Sequence, residues 1–275
     1  MPEPEKCRGA QLATIECGFY CRAFAAFYNR FRKTFGVKIN PMKMWGSKIV
    51  VSIWRTRKDF ERYQKDKGDS GLGETTVGYY EPNRGELVLY EDPEEVAETV
   101  NTLFHEGTHL LMDLALGEKS ANVPMWMSEG LAEYFGASRL DDDEDEIITG
   151  GLHLPRLEEA VDLLAAKRLK PLETLLGLKY ENFHSPDYAQ SWMLLHMLIE
   201  KEDGKGKKVY RKRFIKLYEA IAAGHDPTAA FKTLFGDLNA LGKEAAAYIE
   251  GFRKHLKTSK KDGKDDKAPE RRNGE

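Results

Sequence analysis

Hydrophobic and polar positions follow two rhythms along this chain. Between residues 11 and 35, Phe24, Phe27, Tyr28, Phe31 and Phe35 recur at spacings of three and four, which predicts a long amphipathic helix ended by Gly36. The β-branched run Lys48–Trp54, bounded by Gly46 and Ser47, predicts a buried strand, and residues 57–65 return to a helical pattern. A glycine-rich loop around Gly68, Gly71 and Gly73 leads to two short strands, 75–80 and 86–90. Glu81-Pro82-Asn83-Arg84-Gly85 lies between them as the turn of a hairpin.

From Asp92-Pro93 the pattern is helical. Asp92 suits an N-cap and Pro93 the first helical position, and the helix is expected to run to Leu116 and stop at Gly117. A second helix is expected after Pro124, around 128–138, then an acidic loop, 141–146. Six more are expected over 155–166, 171–176, 187–201, 208–222, 227–235 and 238–256. Strands early and helices late make an α+β chain. Its expected parts are an N-terminal α/β subdomain with the hairpin (1–91), a helical subdomain (92–256) and a disordered charged tail (257–275).

Composition narrows the function. The 275 residues carry 42 Lys and Arg against 45 Asp and Glu, a net charge of -3, which argues against nucleic acid as the main partner. The basic cluster 205–213 is offset by Glu200, Glu202 and Asp203 and reads as a charged helix start. No apolar run approaches the ~18 residues of a membrane span, so membrane insertion is not expected. The first ten residues carry no apolar signal-peptide core, so a cytoplasmic location is expected unless an export signal has been trimmed. Cys7, Cys17 and Cys21 are too few for a disulfide framework and read as reduced, partly buried thiols, although Cys17 and Cys21 share a helix face.

The chemistry concentrates in Thr102-Leu103-Phe104-His105-Glu106-Gly107-Thr108-His109-Leu110. On a helix, His105 and His109 sit four apart, so both imidazoles leave one face and can hold one zinc ion. Glu106 lies one residue round, in reach of a water on the open side of that metal. Twenty residues after His109 stands Glu129, in Trp126-Met127-Ser128-Glu129-Gly130-Leu131-Ala132-Glu133-Tyr134-Phe135. A helix, a short connection and a second helix can return Glu129 to the same metal. Glu133, one turn on, is placed to accept the outer N–H of a ligand histidine. An ordinary helix with two exposed histidines and a solvated acidic face is the bland alternative.

With HEGTH as a zinc helix and WMSEGLAEYF as a glutamate helix, the chain resembles the gluzincin metallopeptidases, and within them the peptidase-MA-like families. The GYYEPNRGELVLY hairpin stands where that clan places the edge strand over its cleft, and Tyr188-Ala189-Gln190-Ser191-Trp192 resembles a short segment on a later helix of those families. The resemblance implies a zincin-like fold and one zinc per chain, held by His105, His109 and Glu129. It further implies Glu106 as general base toward a zinc-activated water, Glu133 behind the ligands, Tyr188 as oxyanion donor, and a peptide or protein as substrate. No G-x-M-E-N stretch is present, which the aminopeptidase branch uses to hold a free amine.

Alternatives stay open at this point. Tyr188 heads an apolar helix and equally suits a structural role, and His184 is its rival as oxyanion donor. His153 follows Gly150-Gly151 and reads as a surface histidine, with a cleft position as the alternative; His196 reads as a packed core histidine; His225 and His255 read as surface residues. In place of a peptidase, the same motifs suit an amidase acting on a non-protein or cell-wall peptide amide, or a non-catalytic zinc-bearing scaffold. The intact Glu106 disfavours the scaffold, which has no need of a base there.

Overall fold

A computed structural model describes residues 9–39, 49–69, 73, 75–91, 95–141 and 146–262. The chain is mixed α and β and mostly helical. Helix α1 (Gly9–Phe35) is followed by β1 (Val50–Trp54), α2 (Arg57–Lys67), β2 (Gly78–Glu81) and β3 (Glu86–Tyr90). Then come α3 (Val96–Leu116), a 3-10 turn (Gly117–Asn122), α4 (Met125–Gly136) and the two-residue strands β4 (Arg139–Leu140) and β5 (Ile147–Ile148). The remaining helices are α5 (Leu154–Ala165), α6 (Leu172–Leu176), α7 (Ser185–Glu200), α8 (Arg211–Ala222), α9 (Pro227–Phe235) and α10 (Leu238–Asp262).

The three-stranded sheet has the order β1-β3-β2. β1 pairs with β3 in parallel, Val50 opposite Glu86 and Trp54 opposite Tyr90. β2 pairs with β3 antiparallel, Gly78 opposite Leu89 and Glu81 opposite Glu86. Tyr90 N–H donates to Val77 C=O at 2.8 Å, so pairing alternates from there. The backbone groups of Gly78 and Tyr80 therefore point away from β3, to the free edge of the sheet. That edge lies along α3, and Gly78 permits the approach: a Cβ there would stand 2.5 Å from Thr102 Cγ2.

One hydrophobic core continues across residue 91, taking in α1, β3 and the helices from α3 to α10. Phe27 of α1 stacks on Phe104 of α3 at 5.2 Å and meets Phe135 of α4 edge-on at 5.5 Å. α1 lies so close to α3 that a side chain at Gly107 would stand 2.9 Å from the Phe27 ring, which explains a glycine inside the histidine motif. A smaller cluster, Phe60, Tyr79 and Val88, lies on the other face of the sheet under α2.

Several boundaries differ from expectation. α4 follows Pro124 as expected, but starts at once at Met125 rather than around Ser128, with Pro124 as its extended N-cap. α8 starts at Arg211 rather than Lys208, which instead pairs with Glu200 at 2.7 Å and Glu202 at 2.9 Å. α10 continues to Asp262, beyond residue 257 where the tail was expected to begin. The expected cap Asp92-Pro93, most of the acidic loop, Lys48, Gly71, Cys7 and residues 263–275 lie outside the described residues. Cys17 and Cys21 are exposed rather than partly buried, since α1 buries Tyr20, Ala23, Phe27 and Phe31 and leaves both thiols off that stripe. No helix among the described residues is long and apolar enough to cross a membrane.

Candidate metal centre

α3 turns Val100, Leu103, Phe104, Leu110 and Leu111 into the core and leaves His105, Glu106 and His109 toward the sheet edge. α4 packs across α3 and returns Glu129 to the two histidines. His105 Nε2 and His109 Nε2 each lie 3.7 Å from Glu129 Oε2. One donor atom from each of the three falls within 4.8 Å of the others, so the group could hold a metal ion, and it is the only such group of three or more found among the described residues. The side chains are largely buried, 24%, 20% and 12% exposed.

The donor set fits a divalent metal of the zinc type. Ligands about 2.0–2.1 Å from one tetrahedral ion lie about 3.3 Å apart, so 3.7 Å needs only a slight closure. Burial, and then the neighbouring His109 and Arg156, holds the His105 imidazole well below the usual histidine range, in the neutral form a metal needs. Burial, and then the charge of Glu133, pushes the Glu129 carboxyl up to about 7. A buried carboxylate in that condition is short of positive charge, which an ion between the three donors would supply.

Glu106 stands at the same floor. Its Oε2 accepts the backbone N–H of Tyr80 from the free edge of β2 at 3.1 Å, and burial pushes its carboxyl up to about 6. The Tyr80 hydroxyl reaches further along α3 and donates to Asp113 Oδ2 at 2.9 Å. β2 is thus tied to α3 at two points, one beside each histidine.

Glu133 has partners other than the expected ones. Arg156 of α5 donates to Glu133 Oε1 through Nε at 2.9 Å and Nη2 at 2.6 Å, and His153 Nε2 lies 3.4 Å from Oε2. The outer nitrogen of a candidate ligand is met instead by Ser128, whose Oγ lies 3.2 Å from His109 Nδ1. With Nε2 facing the metal position, Nδ1 carries the proton and donates to Ser128. His153 is half-buried as the N-cap of α5, facing Glu133, rather than lying free on the surface. Arg156 also places its guanidinium 5.2 Å over the ring of Tyr188.

Tyr188 is half-buried at the start of α7, its ring edge-on to Phe183. Burial, and then the charge of Glu129, pushes its phenol up to about 12, and its hydroxyl has no hydrogen-bond partner among the described residues. His184 occupies the exposed N-cap of α7, its backbone N–H donating to Asp187 Oδ2 at 3.0 Å; no contact links its ring to the three donors. His196 is a core residue, 2.9 Å from Tyr248 Oη and 3.2 Å from Gly150 C=O. His225 is exposed.

Ser128, Arg156, Tyr80 and Asp113 therefore belong to the site or its walls and were not singled out in the sequence as site residues. Ser128 had a legible signal, since it adjoins Glu129. Asp113 shares the face of His109 one turn on, while Arg156 and Tyr80 depend on how α5 and β2 are folded back onto α3 and α4.

A family described as "Protein of unknown function (DUF1570)" matches residues 99–216. That span includes the three donors, Glu106, Glu133, His153, Arg156 and Tyr188, and leaves out the hairpin and α1. No curated protein matches the chain.

Proposed function

We propose that the protein is a zinc-dependent peptidase of gluzincin type, hydrolysing amide bonds of peptides or proteins. The observation that carries the reading is the convergence of His105, His109 and Glu129 beside a second carboxylate outside that group, Glu106, at the floor of a cleft edged by β2. A bound zinc would polarise the scissile carbonyl and acidify a water in the open position.

The chain's own residues supply the rest. Glu106, with a carboxyl near 6, is a base matched to neutral pH: it takes the proton of the attacking water and passes it to the departing amine. The outward backbone N–H of Tyr80 holds Glu106 at the cleft floor. The unpartnered Tyr188 hydroxyl on the facing wall is the donor for the developing oxyanion, and Arg156 holds that ring from above. Glu133, Arg156 and His153 together brace α4 against α5 behind Glu129.

The test is incubation of zinc-loaded protein with a broad peptide library and mass-spectrometric detection of cuts. Cleavage that disappears with chelator, returns with zinc and is lost in Glu106→Gln supports the reading. A zinc-loaded wild type that cuts nothing in the library contradicts it.

A further inference from the structure

Beside the candidate metal centre, His109 and Ser128 border an open pocket of about 270 Å³. Tyr80, His109, Asp113, Ser120, Val123 and Ser128 are among its lining residues. It holds one carboxylate, Asp113, and no lysine or arginine, and no ion pair to Asp113 is found among the described residues. Glu133, behind the donors, is paired with Arg156, and Asp69 and Glu86, under the hairpin, share Arg84; Asp113 has no such cation among the described residues. Asp113 Oδ2 accepts the Tyr80 hydroxyl, which fixes the group and leaves its other oxygen for an incoming donor.

We propose that this pocket is a side-chain subsite for a cationic substrate residue, an ammonium or guanidinium on an aliphatic stem, read by Asp113. The proposal rests on the peptidase reading and adds its substrate class. Asp113 lies one helical turn beyond His109, ~6 Å along the axis of α3, so a residue next to a bond held at the metal centre has its side chain directed there. Pro82, Met112 and Val123 offer the stem apolar contacts, and Asp113 is the only charged acceptor in the lining. Tyr80 couples the two events, its N–H on Glu106 and its hydroxyl on Asp113. An acidic substrate residue would meet a like charge in a confined space and be rejected.

Two measurements test this. The first compares binding of lysinamide and norleucinamide, equal in stem and different in charge, by NMR titration of wild type and Asp113→Asn. Asparagine keeps an oxygen for the Tyr80 hydroxyl, so the variant changes the charge and retains the bond. Wild type is expected to favour lysinamide by at least tenfold, and Asp113→Asn to lose that margin. Equal binding of the two, no binding of either, or a margin that survives the substitution overturns the proposal.

The second measures kcat/KM for peptides differing only in Lys, Arg, Ala or Asp beside the cut. The Lys-to-Ala ratio is expected to exceed ten and to fall toward one in Asp113→Asn. Charge-selective binding without any cleavage would sink the peptidase reading and leave the pocket standing. Cleavage that ignores charge would sink the pocket and leave the peptidase.

Discussion

Two pairs of half-buried or buried carboxylates flank β2, and they are in opposite states. Under the hairpin, Glu86 accepts from Ser52 and Tyr63, both at 2.6 Å, and from Arg84 at 3.1 Å, while Asp69 accepts from Arg84 at 2.6 Å and Tyr79 at 2.7 Å. The Arg84 bond comes first in holding Asp69 below the usual carboxylate range; for Glu86, burial alone would raise the group, and the hydrogen bonds of Ser52, Tyr63 and Arg84 outweigh it. At the cleft floor, Glu106 and Glu129 have no such satisfaction and are pushed up to about 6 and about 7 by burial. The same residue type is structural where cations and donors saturate it, and available for chemistry where burial outweighs its few partners. The first pair fixes the strand that edges the cleft, and the second lies in the cleft itself.

That contrast can be broken most forcefully at Glu106. Glu106→Gln keeps the size and the bond to Tyr80 but removes the base, and kcat/KM on any cleaved peptide is expected to fall by about 10³-fold, with zinc content unchanged. A variant that keeps more than a tenth of the activity would show that Glu106 is not the base.

Next in size is the structural pair. Arg84→Ala leaves Asp69 and Glu86 without their shared cation and is expected to cost about 3 kcal/mol in urea unfolding at neutral pH. A loss under about 1 kcal/mol, the range of exposed pairs, would mean that the network is slack and the two pairs are alike.

The cleft pair should respond in the opposite sense. The folded Glu129 carboxyl sits near 7 against an unfolded value near 4.5, so the folded state holds the extra proton in that window. Its contribution is therefore intact below about pH 4.5 and is lost as pH rises toward 7. In metal-free protein, Glu129→Gln removes that loss, so the variant should gain on wild type between those limits, by about 2–3 kcal/mol at pH 8. Denaturant unfolding with chelator at pH 4.5 and pH 8 measures it. A difference that does not change with pH would remove the contrast between the pairs.

The smallest effect is expected behind His109. Ser128→Ala removes the partner of Nδ1 and should weaken zinc binding by about tenfold, measured by competition with a chromogenic chelator. Unchanged affinity would assign the orientation of His109 to packing alone.

What the sequence made legible divides along similar lines. His105, Glu106 and His109 lie within one helical turn and a half, so their geometry follows from α-helix periodicity without knowledge of the fold. Glu129 could be placed by a spacing argument because only one short connection separates α3 from α4. The order of strands and helices was also readable, since Gly36, Gly117 and the aromatic stripe of α1 punctuate the chain locally. The partners of Glu133 were not readable: Arg156 and His153 come from another helix, and charge pairing across 20 residues leaves no periodic trace. Tyr80 acts through its backbone N–H, which carries no side-chain signal at all. The β4–β5 ladder, Arg139 opposite Ile148 and Leu140 opposite Ile147, is too short for an alternating pattern to show.

Elemental analysis of protein purified without added metal, for wild type, His109→Ala and Glu129→Ala, bears most directly on the three-donor centre. About one zinc per chain in wild type, lost in both variants while their circular dichroism is unchanged, is the expected result. Wild type that takes up no zinc even after reconstitution, or variants that both retain it, would contradict a metal held by His105, His109 and Glu129.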